Sequence, residues 1–208
     1  MYNPPHFAIS DIATVHAFIR TNPFATLAAN IDGEIHFAYV PVIVDAEPAP
    51  LGTAHFHFAR ANPMAGIADG TPLKLSIVGA HAYVSPNWYE TPDQVPTWNY
   101  MAVEGSGRVK RLSGPETLNY LERLAAQQEA ALATKQPWTP EKVNPDRLKR
   151  LLSGIVGFQL SFDRLEGKAK LSQNKSQADI AGVIAALKDR GDAAGIAFAA
   201  AMQELSLH

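Results

Sequence analysis

Three segments carry the side chains that could do chemistry. The first is Ala54-His55-Phe56-His57-Phe58-Ala59-Arg60-Ala61-Asn62-Pro63. In a strand, residues two apart share a face, so His55 and His57 point one way and Phe56 and Phe58 the other. Two facing histidines can ligate a metal, but a closed site needs more ligands and none is signalled nearby. Imidazoles that line a barrel or meet a hydrogen-bond partner fit the same pattern. Arg60 is one of three cations in the first 104 residues. It stands just before Asn62-Pro63, where Asn suits the N-cap and Pro the first position of a helical turn. An arginine beside a helix N-terminus suits a phosphate. A surface arginine near a turn reads the same way.

The second segment is Ala82-Tyr83-Val84-Ser85-Pro86-Asn87-Trp88-Tyr89, continued by Val95-Pro96-Thr97-Trp98-Asn99-Tyr100. Aromatic rings interleaved with Ser, Asn and Thr supply apolar walls and fixed polar groups, as a flat heteroaromatic ligand requires. An aromatic core cluster, or a dimer contact rich in Trp and Tyr, has the same composition. The third segment runs from Arg164 to Lys175 and groups three lysines with Ser172, Gln173 and Asn174. It suits a phosphate or carboxylate, the capping of a following helix, or a solvated loop. No nucleophile elbow, triad order or paired-carboxylate motif is present. No catalytic residue is therefore assigned, and hydrolysis is disfavoured.

The elements that must position these segments follow from pattern. Ser10-Asp11 opens a short helix to about Arg20, stopped by Pro23. Strands are predicted over Phe24 to Ala29 and Ile35 to Val44, joined by an Asp32-Gly33 hairpin and interrupted at Pro41. A loop at Glu47-Pro48-Ala49-Pro50 precedes a strand from Leu51 to Phe58. A helical turn from Pro63 to Ala68 leads to two short strands, Leu73 to Val78 and Ala82 to Ser85. Thr97 to Leu112 is a long β segment in which Gly105 and Gly107 suggest a bend or bulge. Ser113 and Glu116 have capping-box spacing at the start of a helix reaching about Leu132. A strand from Val156 to Phe162, a helix capped by Ser176 and a last helix from about Asp192 complete the chain. Strands that precede the main helices point to an antiparallel barrel with peripheral helices, not a parallel α/β sheet. Neither glycine-rich phosphate motif, G-x-G-x-x-G or G-x-x-x-x-G-K-[ST], occurs.

Composition narrows the function classes. The 208 residues include no cysteine, which removes disulfides, thiolate metal sites and cysteine nucleophiles. Charge is uneven: residues 1–104 carry a net −6, residues 105–175 a net +6 and residues 176–208 a net −2. The overall −2 argues against a dedicated nucleic-acid binder, while the middle segment offers a polyanion its best surface; a solvated helical face is the alternative. The N-terminus lacks the basic and apolar regions of a signal peptide, and no run approaches about 18 apolar residues. A cytoplasmic protein without a membrane span is expected.

In these same segments the chain resembles a known family. Met1-Tyr2-Asn3-Pro4-Pro5-His6-Phe7, His57-Phe58-Ala59-Arg60-Ala61-Asn62-Pro63, Tyr83-Val84-Ser85-Pro86-Asn87-Trp88-Tyr89, Val95-Pro96-Thr97-Trp98-Asn99-Tyr100 and Glu166-Gly167-Lys168-Ala169-Lys170-Leu171-Ser172-Gln173-Asn174-Lys175 resemble the PaiB-type family of FMN-binding negative transcriptional regulators. The likeness runs in order from residue 1 to about 190. It implies a mainly β fold with peripheral helices, an antiparallel split β-barrel of the FMN-binding, pyridoxamine-phosphate-oxidase-like type. The barrel would span 1–175, with helices inserted at about 114–152 and a C-terminal helical extension over 176–208 packed on it. The resemblance implies a homodimer with FMN at the subunit interface. Arg60 and Asn62 become phosphate-side residues, and Ser85, Trp88, Thr97, Trp98 and Asn99 become flavin-wall residues. Lys168, Lys170, Gln173 and Asn174 reach the site, from the same or the partner subunit. One departure from the family is Phe56, where a glycine is expected before the second histidine; it bears on the shape of the pocket.

Four functions compete. The first is an FMN-binding regulator, with DNA as a partner through Arg147, Lys149 and Arg150, although no helix-turn-helix is recognisable. The second is a flavin-dependent oxidoreductase acting on a small molecule. A haem-handling protein and a pure interaction module are the others.

Overall fold

The computed structural model describes residues 1–47, 50–132 and 136–205. The loop expected at 47–50 lies partly outside them. The chain divides into two compact units, each assembled from segments distant in sequence. A terminal unit comprises Met1–Asp11, Val78–Val103 and Glu166–His208; a central unit comprises Ile12–Ile77 and Glu104–Leu165.

Eight strands form one antiparallel sheet: β1 (Ala8–Ile9), β2 (Phe24–Ile31), β3 (Glu34–Pro41), β4 (Ile43–Asp45), β5 (Thr53–Ala59), β6 (Pro72–Val84), β7 (Thr97–Arg111) and β8 (Ile155–Lys170). The hydrogen-bonded order is β3-β2-β6-β7-β8-β5-β4, an open path, with β1 added to β8. Five α-helices accompany the described strands: α1 (Ile12–Thr21), α2 (Gly114–Leu132), α3 (Pro145–Ser153), α4 (Gln177–Asp189) and α5 (Ala193–Leu205). No helix among the described residues is long and apolar enough to cross a membrane.

Local chemistry sets the boundaries. Asp32 and Gly33 both take positive φ, 52° and 91°, as a tight hairpin turn requires. The capping box forms at α2: the Ser113 N–H donates to Glu116 Oε2 at 2.7 Å, and the Glu116 N–H faces Ser113 Oγ at 3.4 Å. Ser176 Oγ accepts from the Asp179 N–H at 3.1 Å to start α4. Between β3 and β4, Val42 turns its N–H to Pro23 O at 2.8 Å, so the expected interruption falls one residue after Pro41.

Two strands are longer than their sequences suggested. The pair of short strands expected over 73–85 is one strand, β6. It lies between β2 and β7; its register with β2 covers Lys74, Leu75 and Ser76, and the strand continues through Gly79 to Val84. The stretch after Phe162, expected as a loop, is the second half of β8. There Leu165, Gly167, Ala169 and Leu171 alternate with charged residues, and the period of two outweighs the polarity. Gly105 and Gly107 mark a close approach more than a bend. A Cβ on Gly107 would lie 1.9 Å from Ser161 O, and one on Gly105 2.5 Å from the Phe162 ring.

The central unit packs Phe56, Phe58 and Phe158 at its core, with ring centroids 5.3 to 6.0 Å apart. Phe56, the departure from the family pattern, is wholly buried there, on the opposite side of β5 from His55 and His57. In the terminal unit, Ala82, Val84, Ala169 and Leu171 from the strands meet Ile180, Val183 and Leu187 of α4 and Phe198 and Met202 of α5. Gly182 admits a close approach there: a Cβ on it would stand 2.2 Å from Trp88 O.

Candidate functional site

In the central unit, α2 covers a polar layer of the sheet. Register sets Gln159 of β8 opposite His55 of β5, and Gly157 opposite His57. His55 Nε2 lies 3.1 Å from Asp45 Oδ2, and Arg123 of α2 grips both oxygens of the same carboxylate. Burial works against the Asp45 charge, but the Arg123 guanidinium and His55 beside it hold its carboxyl below the usual range. For His55, burial lowers the pKa despite Asp45, and the Arg123 charge assists. Burial alone lowers that of His57. His57 Nδ1 meets the Tyr120 hydroxyl at 3.2 Å, and that hydroxyl donates to Pro41 O at 3.2 Å. Desolvation pushes the Tyr120 phenol well above its usual range, so it keeps its proton. The two histidines thus each have a protein partner, and among the described residues no group of three metal-ligating side chains forms.

Arg60 and Asn62 stand at the end of β5. Asn62 caps the turn as its type suggests, Oδ1 accepting from the Met64 N–H at 2.9 Å. Arg60 donates through Nε to Ser153 O at 2.6 Å and through Nη2 to Ile155 O at 3.0 Å, clamping the α3–β8 junction. Its Nη1 has no partner among the described residues. A 410 Å3 cavity opens here, lined by Arg60, Arg111, Gly114, Pro115 and Thr117. Arg111 is tethered likewise: one Nη donates to Ala65 O at 2.9 Å, and the guanidinium lies 5.6 Å from the Phe158 ring centroid. Two tethered guanidiniums with donors left open at one cavity are the donor set that a phosphate monoester selects.

The other nine expected residues lie in the terminal unit. Trp98 is 53% exposed; its indole N–H donates to His81 Nδ1 at 3.2 Å, and its ring meets that of Tyr83 edge-on. Lys170 Nζ reaches Thr97 Oγ1 at 2.5 Å and Trp98 O at 3.0 Å, which brings these three together. Ser85 caps the turn that carries Trp88, and Trp88 packs on the helical core. Asn99 is 0% exposed: its amide donates to Ser172 Oγ at 2.7 Å, its Oδ1 finds no partner, and it stands behind the surface. Ser172 takes a positive φ of 63° to meet it. Lys168, 5% exposed, donates to Tyr2 O at 2.9 Å, and its ammonium lies 5.2 Å from the Tyr100 ring centroid, with the Tyr2 and Phe7 rings close by. Gln173 is engaged by the Leu171 N–H and by Ala169 O. Asn174 is exposed.

Sequence reasoning missed Arg111, His81, Asp45, Arg123 and Tyr120. Arg111 and His81 carried a signal, as polar ends of strands already recognised. Asp45 and Arg123 are 78 residues apart and carried none.

Comparison with known proteins agrees with this fold. Residues 1–164 match the family described as "Putative FMN-binding domain". The chain is 28% identical over 194 residues to the protease synthase and sporulation protein PAI 2 of Bacillus subtilis strain 168, covering 91% of this chain and 90% of that protein. It is 28% identical over 243 residues to an uncharacterized protein of Emericella nidulans, covering 98% and 97%. Among solved structures, the FAD and heme binding protein from Mycobacterium smegmatis superposes with a TM-score of 0.58 at 16% identity, over 84% of this chain and 78% of that one. The flavocytochrome Anf3 from Azotobacter vinelandii gives 0.56 at 15% identity, over 85% and 75%. These likenesses show the split-barrel fold of flavin-binding proteins. With the family match over most of its length and PAI 2 among its relatives, the chain belongs to the FMN-binding domain family of the PaiB type.

Proposed function

We propose that this protein binds FMN, with Arg60 and Arg111 holding the cofactor's phosphate in the 410 Å3 cavity beside the first turn of α2. The observation that carries the reading is the pair of guanidiniums, each oriented by backbone carbonyls and each with donors left over. A cation already held in place loses little freedom on meeting a dianion. The donor set therefore fits the group. Asn62 shapes the turn after Arg60 and acts by position. FMN is proposed to lie at a subunit interface, with Trp98, Thr97, Lys170, Ser85, Trp88 and Asn174 as flavin contacts from the same or the partner subunit, and Asn99, Lys168 and Gln173 as residues that hold them in place. Bound FMN supplies a redox centre; the chain's part is to bind and orient it.

A homodimer belongs to the same reading. Ile35, Phe37 and Tyr39 alternate on one exposed face of β3, at the end of the sheet path, and Phe24 on β2 is exposed beside them. Monomers rarely leave such a face uncovered, and a second copy of this chain is its proposed occupant. Sedimentation of Phe37→Asp beside the parent tests it: a parent dimer that becomes a monomer supports the interface, and a monomeric parent overturns it.

The experiment for the cofactor is an absorbance titration of flavin-stripped protein with FMN, riboflavin and FAD. FMN should bind about tenfold or more tighter than riboflavin, since only FMN carries the phosphate. Equal affinity for the two overturns the phosphate site.

Two roles can follow from FMN binding. A negative regulator of transcription is supported by the family resemblance and by Arg147, Lys149 and Arg150, all exposed on α3. Filter binding that weakens steeply with salt supports DNA contact; no salt-sensitive affinity removes it. A flavin-dependent oxidoreductase is favoured by the flavin proteins among the solved neighbours. Anaerobic bleaching of the flavin by NADH or NADPH supports that role, and a flavin that stays oxidised with both counts against it.

A further inference from the structure

We propose that the 330 Å3 cavity between α2 and the β5–β8 pair binds a small organic cation with several N–H donors, a guanidinium or an amidinium, with His55 Nδ1 as an acceptor in its wall. The site lies in the central unit and stands independently of the flavin reading.

Asp45 orients the imidazole. Arg123 holds the Asp45 carboxylate ionised, and the carboxylate, 3.1 Å from His55 Nε2, fixes the proton on that nitrogen. Nδ1 is then a lone pair, and it has no partner among the described residues. Burial disfavours protonation of this histidine, so near neutral pH it accepts.

The other acceptors converge on the same space. Gln159 stands opposite His55 in register. Glu116 and Asn119, three residues apart, share a face of α2. Glu116 caps the helix through Oε2, and its carboxyl is held below the usual range foremost by that bond to Ser113. Leu112 and Pro115 supply an apolar patch for the flat side of a ligand. Tyr120 takes no part, because its hydroxyl already joins His57 Nδ1 and Pro41 O.

Charge decides the sign of the ligand. With His55 neutral, Arg123 offsets the Asp45 carboxylate that it grips, and Glu116 is the carboxylate left in the lining, with the Lys110 charge acting on it from outside. A planar fan of N–H donors matches acceptors spread over two strands and a helix. The volume is near the lower end of the range for ligand pockets, about 300–1,000 Å3, and suits a small molecule. The competing reading is purely structural: Asp45, His55 and Arg123 tie α2 to the sheet around solvent.

Side-chain 15N NMR of the full chain separates the two. The probes are methylguanidinium chloride, tetramethylammonium chloride, which has the charge without N–H donors, and sodium acetate. Methylguanidinium should move the His55 Nδ1 signal in a saturable way at millimolar concentration. Neither other probe should, and the His57 signal should stay still because its Nδ1 is engaged. Glu116→Gln, which keeps a capping side chain, should weaken the effect about five- to tenfold. Shifts equal for methylguanidinium and tetramethylammonium, a shift that does not saturate, or full affinity in Glu116→Gln would each overturn the proposal.

Discussion

In the terminal unit, Lys168 is buried beneath aromatic rings and donates to Tyr2 O, while Lys170 and Lys175 reach Thr97 and Gln94. In the central unit, Arg60 and Arg111 are tethered by carbonyls at the edge of a cavity and keep part of each guanidinium open. The same formal charge is mostly engaged within the protein in one unit and, in the proposed phosphate site, left partly open in the other. The difference follows from the side chains: an ammonium can be ringed on all sides, whereas a guanidinium can be fixed along one edge and still donate along the next.

The largest effect expected from this contrast is structural. Lys168→Ala should lower stability by about 2–3 kcal/mol, since it removes a buried hydrogen bond and several ring contacts at once. An unchanged urea midpoint would break the contrast from the terminal side. Arg111→Ala should do the reverse. FMN affinity should fall about tenfold, with stability changed by about 1 kcal/mol or less, because the residue is exposed. If Arg111→Ala unfolds the protein instead, its role is architectural too.

Titration of the polar layer sharpens the comparison further. Folding lowers the pKa of both His55 and His57, so below the ordinary value of 6.5 the unfolded chain binds more protons than the folded one. Stability should therefore fall as pH drops from 7 to 5. The charged groups around them are Asp45, Arg123 and Glu116, and both carboxyls are held below the usual range, so they stay ionised across that interval. The double variant His55→Gln, His57→Gln should flatten the slope. A melting temperature that does not change between pH 7 and 5 in the parent would contradict the environments assigned here.

The smallest effect belongs to Asp179, which ties Thr91 to α4 through the Thr91 N–H at 2.9 Å and its hydroxyl at 2.8 Å. That backbone N–H foremost brings the Asp179 carboxyl down to about 2, from an ordinary 3.8. Its contribution is present above 3.8 and is lost as pH falls through about 2. Asp179→Asn should remove the part of the acid-unfolding slope in that interval. A slope identical to the parent would deny the contact.

Much of this was legible in the residues. Alternation around His55 and His57 placed the two imidazoles on one face and Phe56 and Phe58 on the other, as found. The Asn62, Ser113 and Ser176 caps were local signals and formed locally. What residue types could not show was engagement. Lys168, Gln173 and Asn99 have the chemistry of ligand contacts, yet they are satisfied mostly within the protein, in part by the N-terminal segment more than 160 residues away. The second half of β8 was hidden by its charges, although its period of two was present. The Asp45–Arg123 pair had no signal, because only the pairing of β4 and β5 and the position of α2 bring it together.

The most direct test of the account is a two-by-two calorimetric comparison, FMN against riboflavin on the parent and on Arg111→Ala. The account predicts that the phosphate's advantage, about tenfold or more in the parent, largely disappears in Arg111→Ala while riboflavin affinity stays the same. An advantage of FMN over riboflavin that survives Arg111→Ala undiminished would place the phosphate elsewhere and contradict it.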